Sequence, residues 1–234
     1  MKLETSLVEE YEKNGAVCLR GVFSEYWVDL VRRGIEKNLA SPSPFSEKLK
    51  GYKNGGHYFD DYCNWRRIEE FEKFALQSPA AAIAGILTQS EEVSFYHEHV
   101  LVKEPGTDKE TPWHHDQSYY PIDGDKVCSI WMPVDPVSRE TCIQFVSGSH
   151  KWGWFLPRKF ETSLPYPVED SARIDRDYRP VPDVDAHRDE WDILSWELQP
   201  GDCIVFQMKC LHGAPGNRST TTSRRILSTR WLGK

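Results

Sequence analysis

The chain has 234 residues, 39% of them hydrophobic and 28% charged, with a formal net charge of −7. That length suits one well-buried domain, and the acidic balance argues against nucleic acid or an anionic membrane as the main partner. No stretch approaches the roughly 18 apolar residues of a membrane span, and MKLETSLVEEYEKNG carries acids where a signal peptide needs an apolar core. The six cysteines, at 18, 63, 128, 142, 203 and 210, form no CxxC pair. Reduced thiols in a cytoplasmic protein are therefore expected, with no zinc knuckle or redox motif.

Taken in chain order, AVCLRGVF (16–23) reads as a short strand. Ser24 then opens a helix as its N-cap, with Trp27, Leu30, Val31 and Ile35 at helical spacing. A second helical segment is expected over about residues 66–88. Beyond it the texture changes to short β-rich runs: VSFYHEHVLVKEPG, VCSIWMPVD, TCIQFVSGSH, DILSWELQPGDCIVFQ and SRRILSTRWLGK. Strands at this spacing after helices predict a sandwich or closed barrel with a helical covering. Residues 1–234 are thus expected to form a single domain, mostly helical over 1–90 and β-rich over 91–234.

The stretch TPWHHDQSYY (111–120) raises the chemistry. A strand alternates its side chains, so His114 and Asp116 share one face and His115 takes the other. His212, in LHG just past an apolar strand, supplies a second imidazole. Two histidines and one carboxylate leave open metal positions and are the usual cage of non-haem Fe(II) oxygenases. Such a site admits a keto acid through two oxygens and dioxygen through one more. The keto acid's far carboxylate calls for a guanidinium, and Arg224 and Arg225 open the strand that follows His212. A structural zinc usually takes four protein ligands, and no fourth is evident. His97 and His99 in YHEH share a strand face and are read as structural, and His150 in SGSH as a turn or capping residue. His57 and His187 read as surface or substrate-region residues.

In order, GAVCLRGVFS, PWHHD, the Trp131 strand, SGSHKWG, LQPGDCIVF, LHGAPGNRS and SRRILSTRW resemble the phytanoyl-CoA dioxygenase family of Fe(II)/2-oxoglutarate oxygenases. The resemblance implies a double-stranded β-helix, a jelly roll or cupin-like barrel with the N-terminal helices packed on one face. It implies His114, Asp116 and His212 as iron ligands, with Fe(II), 2-oxoglutarate and dioxygen as cofactor and cosubstrates. It also implies Arg224 as the 2-oxoglutarate arginine, Trp131 as a wall of that pocket, and His115 as a pocket or hydrogen-bonding residue where relatives have glutamine. The expected reaction is hydroxylation of a small molecule with release of succinate and carbon dioxide. A non-catalytic jelly roll that binds a metal or small molecule is the alternative. Lys48, Lys50, Lys53, Arg66 and Arg67, in the segment 41–67, are expected near the barrel mouth and would suit a small anionic substrate. The oligomeric state is left open.

Overall fold

The computed structural model describes residues 2–53, 55–167 and 176–234. The elements run α1 (Thr5–Asn14), β1 (Ala16–Leu19), α2 (Glu25–Ala40), β2 (Glu47–Lys50), β3 (His57–Tyr62), α3 (Glu69–Gln77) and α4 (Ala80–Leu87). There follow β4 (Val93–Lys103), β5 (Thr111–His114), β6 (Val127–Pro133), β7 (Gln144–Val146), β8 (Trp154–Phe155) and β9 (Tyr178–Arg179). The last are β10 (Ile193–Leu194), β11 (Cys203–Gln207), β12 (His212–Ala214) and β13 (Arg224–Gly233).

The helical segment expected over 66–88 is two helices. Pro79 disfavours helical backbone at the residue before it, and Ser78 adopts φ −77°, ψ 168° between α3 and α4. Ser24 stands at the start of α2 in extended backbone, but its side chain makes no cap bond. Its carbonyl accepts the first amides, from Trp27 and Val28. Helix α1 and the hairpin β2–β3 are additions to the elements expected from sequence.

Seven strands form one antiparallel sheet in the order β1-β11-β6-β13-β4-β3-β2, and β10-β7-β12-β5 form a second. The sheets face each other without closing into a barrel, which makes this the jelly-roll arrangement rather than the closed alternative. Period-2 alternation sorts the large sheet's side chains. Val17, Leu19, Val100, Val102, Cys128, Ile130, Cys203, Val205 and Leu227 point outward, into one apolar cluster with the buried faces of α2, α3 and α4. The opposite parity points inward: Trp131, Ile204, Phe206 and Ile226 meet Phe145, Cys142 and Ala214 from the second sheet's side.

This parity also sets the polar interior. On β13, residues 224, 226, 228 and 230 face inward, opposite Lys103, Leu101, His99 and His97 of β4. On β3, Tyr58, Asp60 and Tyr62 take the same face opposite Lys103, Leu101 and His99. A cavity of about 540 Å³ lies between the sheets, and these inward residues form much of its wall.

Candidate metal centre

His114 ends β5 and His212 begins β12, two strands that pair with these residues directly opposite each other. Asp116 does not extend the strand as sequence suggested. It opens a short 3-10 turn, after His115 in extended backbone at φ −125°, ψ 140°. Extension through His115 is enough to swing Asp116 back to the face of His114.

The donor atoms converge. His114 Nε2 lies 3.6 Å and His212 Nε2 3.7 Å from the same oxygen, Asp116 Oδ1. All three side chains are buried. Each imidazole is oriented from behind: His114 Nδ1 is 2.7 Å from the Pro112 carbonyl and His212 Nδ1 is 2.9 Å from the Cys210 carbonyl. A carbonyl only accepts, so Nδ1 carries the proton and Nε2 keeps a free lone pair for a cation. Burial first, and then His114 alongside, lower the pKa of His212 to about 3, so that ring is neutral near pH 7. Asp116 is the anion of the set. Burial alone would raise its pKa, but Arg230, His114 and His212 hold it well below the ordinary carboxylate range.

Two supporting residues escaped the sequence reading. Ser129 Oγ donates to Asp116 Oδ2 at 2.8 Å, and the Arg230 guanidinium donates to the same oxygen at 3.3 Å. Together they engage Oδ2 and leave Oδ1 toward the two imidazoles. The signal for Arg230 was present in the strand: it has the parity of Arg224, three alternations on.

Among the other expected residues, Arg224 enters the cavity and Arg225 does not. Arg224 is buried, and its guanidinium donates to the Thr141 carbonyl while Nε has no partner. Arg225 points to the helical side and grips Asp135, with its Nη2 at 2.7 Å and Nε at 2.9 Å from the carboxylate oxygens. Trp131, opposite Ser228, lines the cavity.

Of the two roles expected for His115, pocket wall or hydrogen-bonding residue, the structure places it in the second. Its side chain is outside the cavity lining, hydrogen-bonded to Ser118 and accepting the Phe155 amide at 3.3 Å. Strand alternation sends it away from the metal face. The basic residues of 41–67 are also displaced from the expected place, because none lines the cavity. Lys48 pairs outward with Glu104 at 3.6 Å, Arg66 lies over the Trp65 ring, and Arg67 binds Asn64 and the Ser41 carbonyl. His97 and His99, read as structural, are not among the converging donors, and both line the cavity.

The sequence matches the family profile described as phytanoyl-CoA dioxygenase (PhyH) over residues 11–226. The chain belongs to the phytanoyl-CoA dioxygenase family. A member from Caenorhabditis elegans described as a probable phytanoyl-CoA dioxygenase is 24% identical over 248 aligned residues, covering 94% of this chain and 72% of the relative. The solved carbocyclase SnoK of nogalamycin biosynthesis, described as non-haem and α-ketoglutarate dependent, superposes with a TM-score of 0.75. It is 21% identical and covers 99% of this chain and 85% of its own. EctD from S. alaskensis, solved with 2-oxoglutarate and 5-hydroxyectoine, gives a TM-score of 0.72 at 16% identity, covering 99% of this chain and 76% of its own. The epimerase SnoN, solved with Fe3+, α-ketoglutarate and nogalamycin RO, gives 0.69 at 20% identity, covering 98% and 83%. Among the described residues, no helix of this family member is long and apolar enough to cross a membrane.

Proposed function

We propose that the protein is an Fe(II)- and 2-oxoglutarate-dependent oxygenase that hydroxylates a small molecule and releases succinate and carbon dioxide. The observation that carries this reading is the donor set itself. Two imidazole nitrogens with free lone pairs and one carboxylate oxygen meet on one wall of a 540 Å³ cavity. Two histidines with one carboxylate and open positions suit non-haem iron. When bound, iron would supply activation of dioxygen coupled to decarboxylation of 2-oxoglutarate.

The chain's own residues set the conditions for that chemistry. His114 and His212 would hold the metal as neutral ligands, and Asp116 would offset part of its charge. Arg224 presents a buried planar fork that would take the far carboxylate of 2-oxoglutarate. Trp131 would wall the pocket beneath it. Tyr119 and Phe160 set their rings 5.7 Å and 4.9 Å from the His114 ring, an apolar cover that would keep the site dry. Because Asp116 would supply its carboxylate at the position that a halide would otherwise take, the set favours hydroxylation over halogenation. The six unpaired cysteines bear on a cytoplasmic location.

The test is succinate release together with product mass under labelled dioxygen. One labelled oxygen in the product, lost in His212→Ala, supports the proposal. Succinate release with no oxygen added to product would keep the oxygenase chemistry and remove hydroxylation.

A further inference from the structure

The wall of the cavity built by β2, β3 and β4 carries a charge pattern that the metal site does not use. Glu47 on β2 and Asp60 on β3 are direct cross-strand partners. Both line the cavity. Like charges directly opposite each other destabilise a sheet. Among the described residues neither meets a lysine or arginine. Asp60 has only His99, Nε2 to Oδ2 at 3.4 Å. Parity excludes the adjacent Lys48, which pairs with Phe59 on the outer face. The repulsion registers at Glu47, whose pKa is raised by burial first and then by Asp60 and Glu161.

A second observation, independent of those acids, points the same way. His97 is 4% exposed and lines the same cavity. Its Nδ1 lies 3.0 Å from the Glu98 carbonyl, so Nδ1 is the donor and Nε2 an acceptor. No donor reaches that Nε2. A buried acceptor without a donor carries the full cost of its lost hydration. Arg230, opposite His97 in the register, gives Nη1 to the Ser228 carbonyl and Nη2 to Asp116, and its Nε makes no bond to His97. Aromatic faces complete the surface. Tyr62 has its ring 5.6 Å from His99 and 6.4 Å from His97. Tyr166 also lines the cavity, near enough to Glu47 and Asp60 that both add to the effect of burial in raising its phenol.

We propose that this wall is a cation subsite: Glu47 and Asp60 take the ammonium group of an amine-bearing small substrate, and His97 Nε2 accepts a further N–H or O–H from it. The inference names the substrate class for the oxygenase reading above and rests on it. A cation between the two carboxylates removes their repulsion, Tyr62 and Tyr166 offer π faces to it, and a donor deeper in the cavity satisfies His97.

The experiment is calorimetric titration of the metal-free protein with butane-1,4-diamine and with its neutral match, butane-1,4-diol. It is run on wild type, Glu47→Gln, Asp60→Asn and the double variant. Glu47 sits on an exposed rim strand, so its variant guards against loss of fold. The diamine should bind wild type at least roughly tenfold more tightly than the diol, and each neutralisation should weaken it by roughly tenfold. Equal binding of diamine and diol, no binding of the diamine, or a double variant that holds it as tightly as wild type would overturn the subsite. Anaerobic Fe(II) and 2-oxoglutarate binding is measured on the same wild-type protein. Its failure would remove the oxygenase reading while the diamine result stood by itself.

Discussion

Replacing Arg224 by alanine tests whether the inward parity of β13 sets the cosubstrate site. The guanidinium is buried, lines the cavity, and has an unpartnered Nε beside the bond to Thr141. Its neighbour across the strands, Lys103, cannot easily replace it. The Lys103 ammonium is anchored to the Ala214 and Pro215 carbonyls at 3.2 and 3.0 Å. Burial, and then Arg224 itself, lower its pKa well below the ordinary value. A charge-assisted pair is worth about 1.5–3 kcal/mol. At about 1.4 kcal/mol per decade, Arg224→Ala should weaken 2-oxoglutarate binding by roughly ten- to a hundredfold. Arg224→Lys, which keeps the charge and loses the fork, should fall between. Arg225→Ala is the control: it breaks the pair with Asp135 on the helical side, costs up to about 1 kcal/mol of stability, and should leave the affinity unchanged. The assay is anaerobic titration of the Fe(II) protein with 2-oxoglutarate. A larger loss in Arg225→Ala than in Arg224→Ala would refute the assignment of the arginine.

Other expectations concern support, pH and packing. Ser129→Ala removes the 2.8 Å bond that engages Asp116 Oδ2, and should weaken Fe(II) binding by roughly tenfold, measured by competition with a chelator. Glu98, buried and pushed up to about 7 chiefly by burial, gives a pH signature. Its folded-state pKa is raised, so its contribution is complete below the ordinary value and is lost as pH rises toward and through 7. Denaturant midpoints of wild type minus Glu98→Gln should therefore fall between about pH 4.5 and 7, and a rising difference would contradict the shift. Gly34 lets α2 lie against α3, since an added Cβ would sit 2.5 Å from Phe71 Cε1. Gly34→Val should cost about 1–3 kcal/mol by overpacking, seen as a lower melting temperature with Fe(II) affinity retained.

Most of the metal-site geometry was legible because it follows from local rules. Alternation from His114 to Asp116 fixed their shared face, and the 3-10 turn after His115 did not disturb it. The same rule separates Arg224 from Arg225 once one knows which face of β13 is interior, and that knowledge needs the neighbouring strands. Ser129 and Arg230 were hidden for this reason: their contacts with Asp116 span 13 and 114 positions of sequence. The hairpin β2–β3 was missed because EKLK is charged at every position but Leu49 and gives little apolar signal, and the pairing of β3 to β4 overrides weak local preference. Missing it put the basic residues of 41–67 at the mouth, whereas the register turns Glu47 and Asp60 inward and Lys48 outward. His115 carried a polar side chain onto the face away from the cavity, where Ser118 and the Phe155 amide satisfy its Nε2.

The central claim is that His114, Asp116 and His212 hold a single iron with room for a keto acid. Its most direct test is anaerobic titration of Fe(II) into the protein with 2-oxoglutarate, following the visible charge-transfer absorption of the chelate. The account predicts one equivalent of Fe(II) at the end point, a band that requires 2-oxoglutarate, and its loss in His114→Ala and in His212→Ala. A band of full intensity in either variant would contradict it.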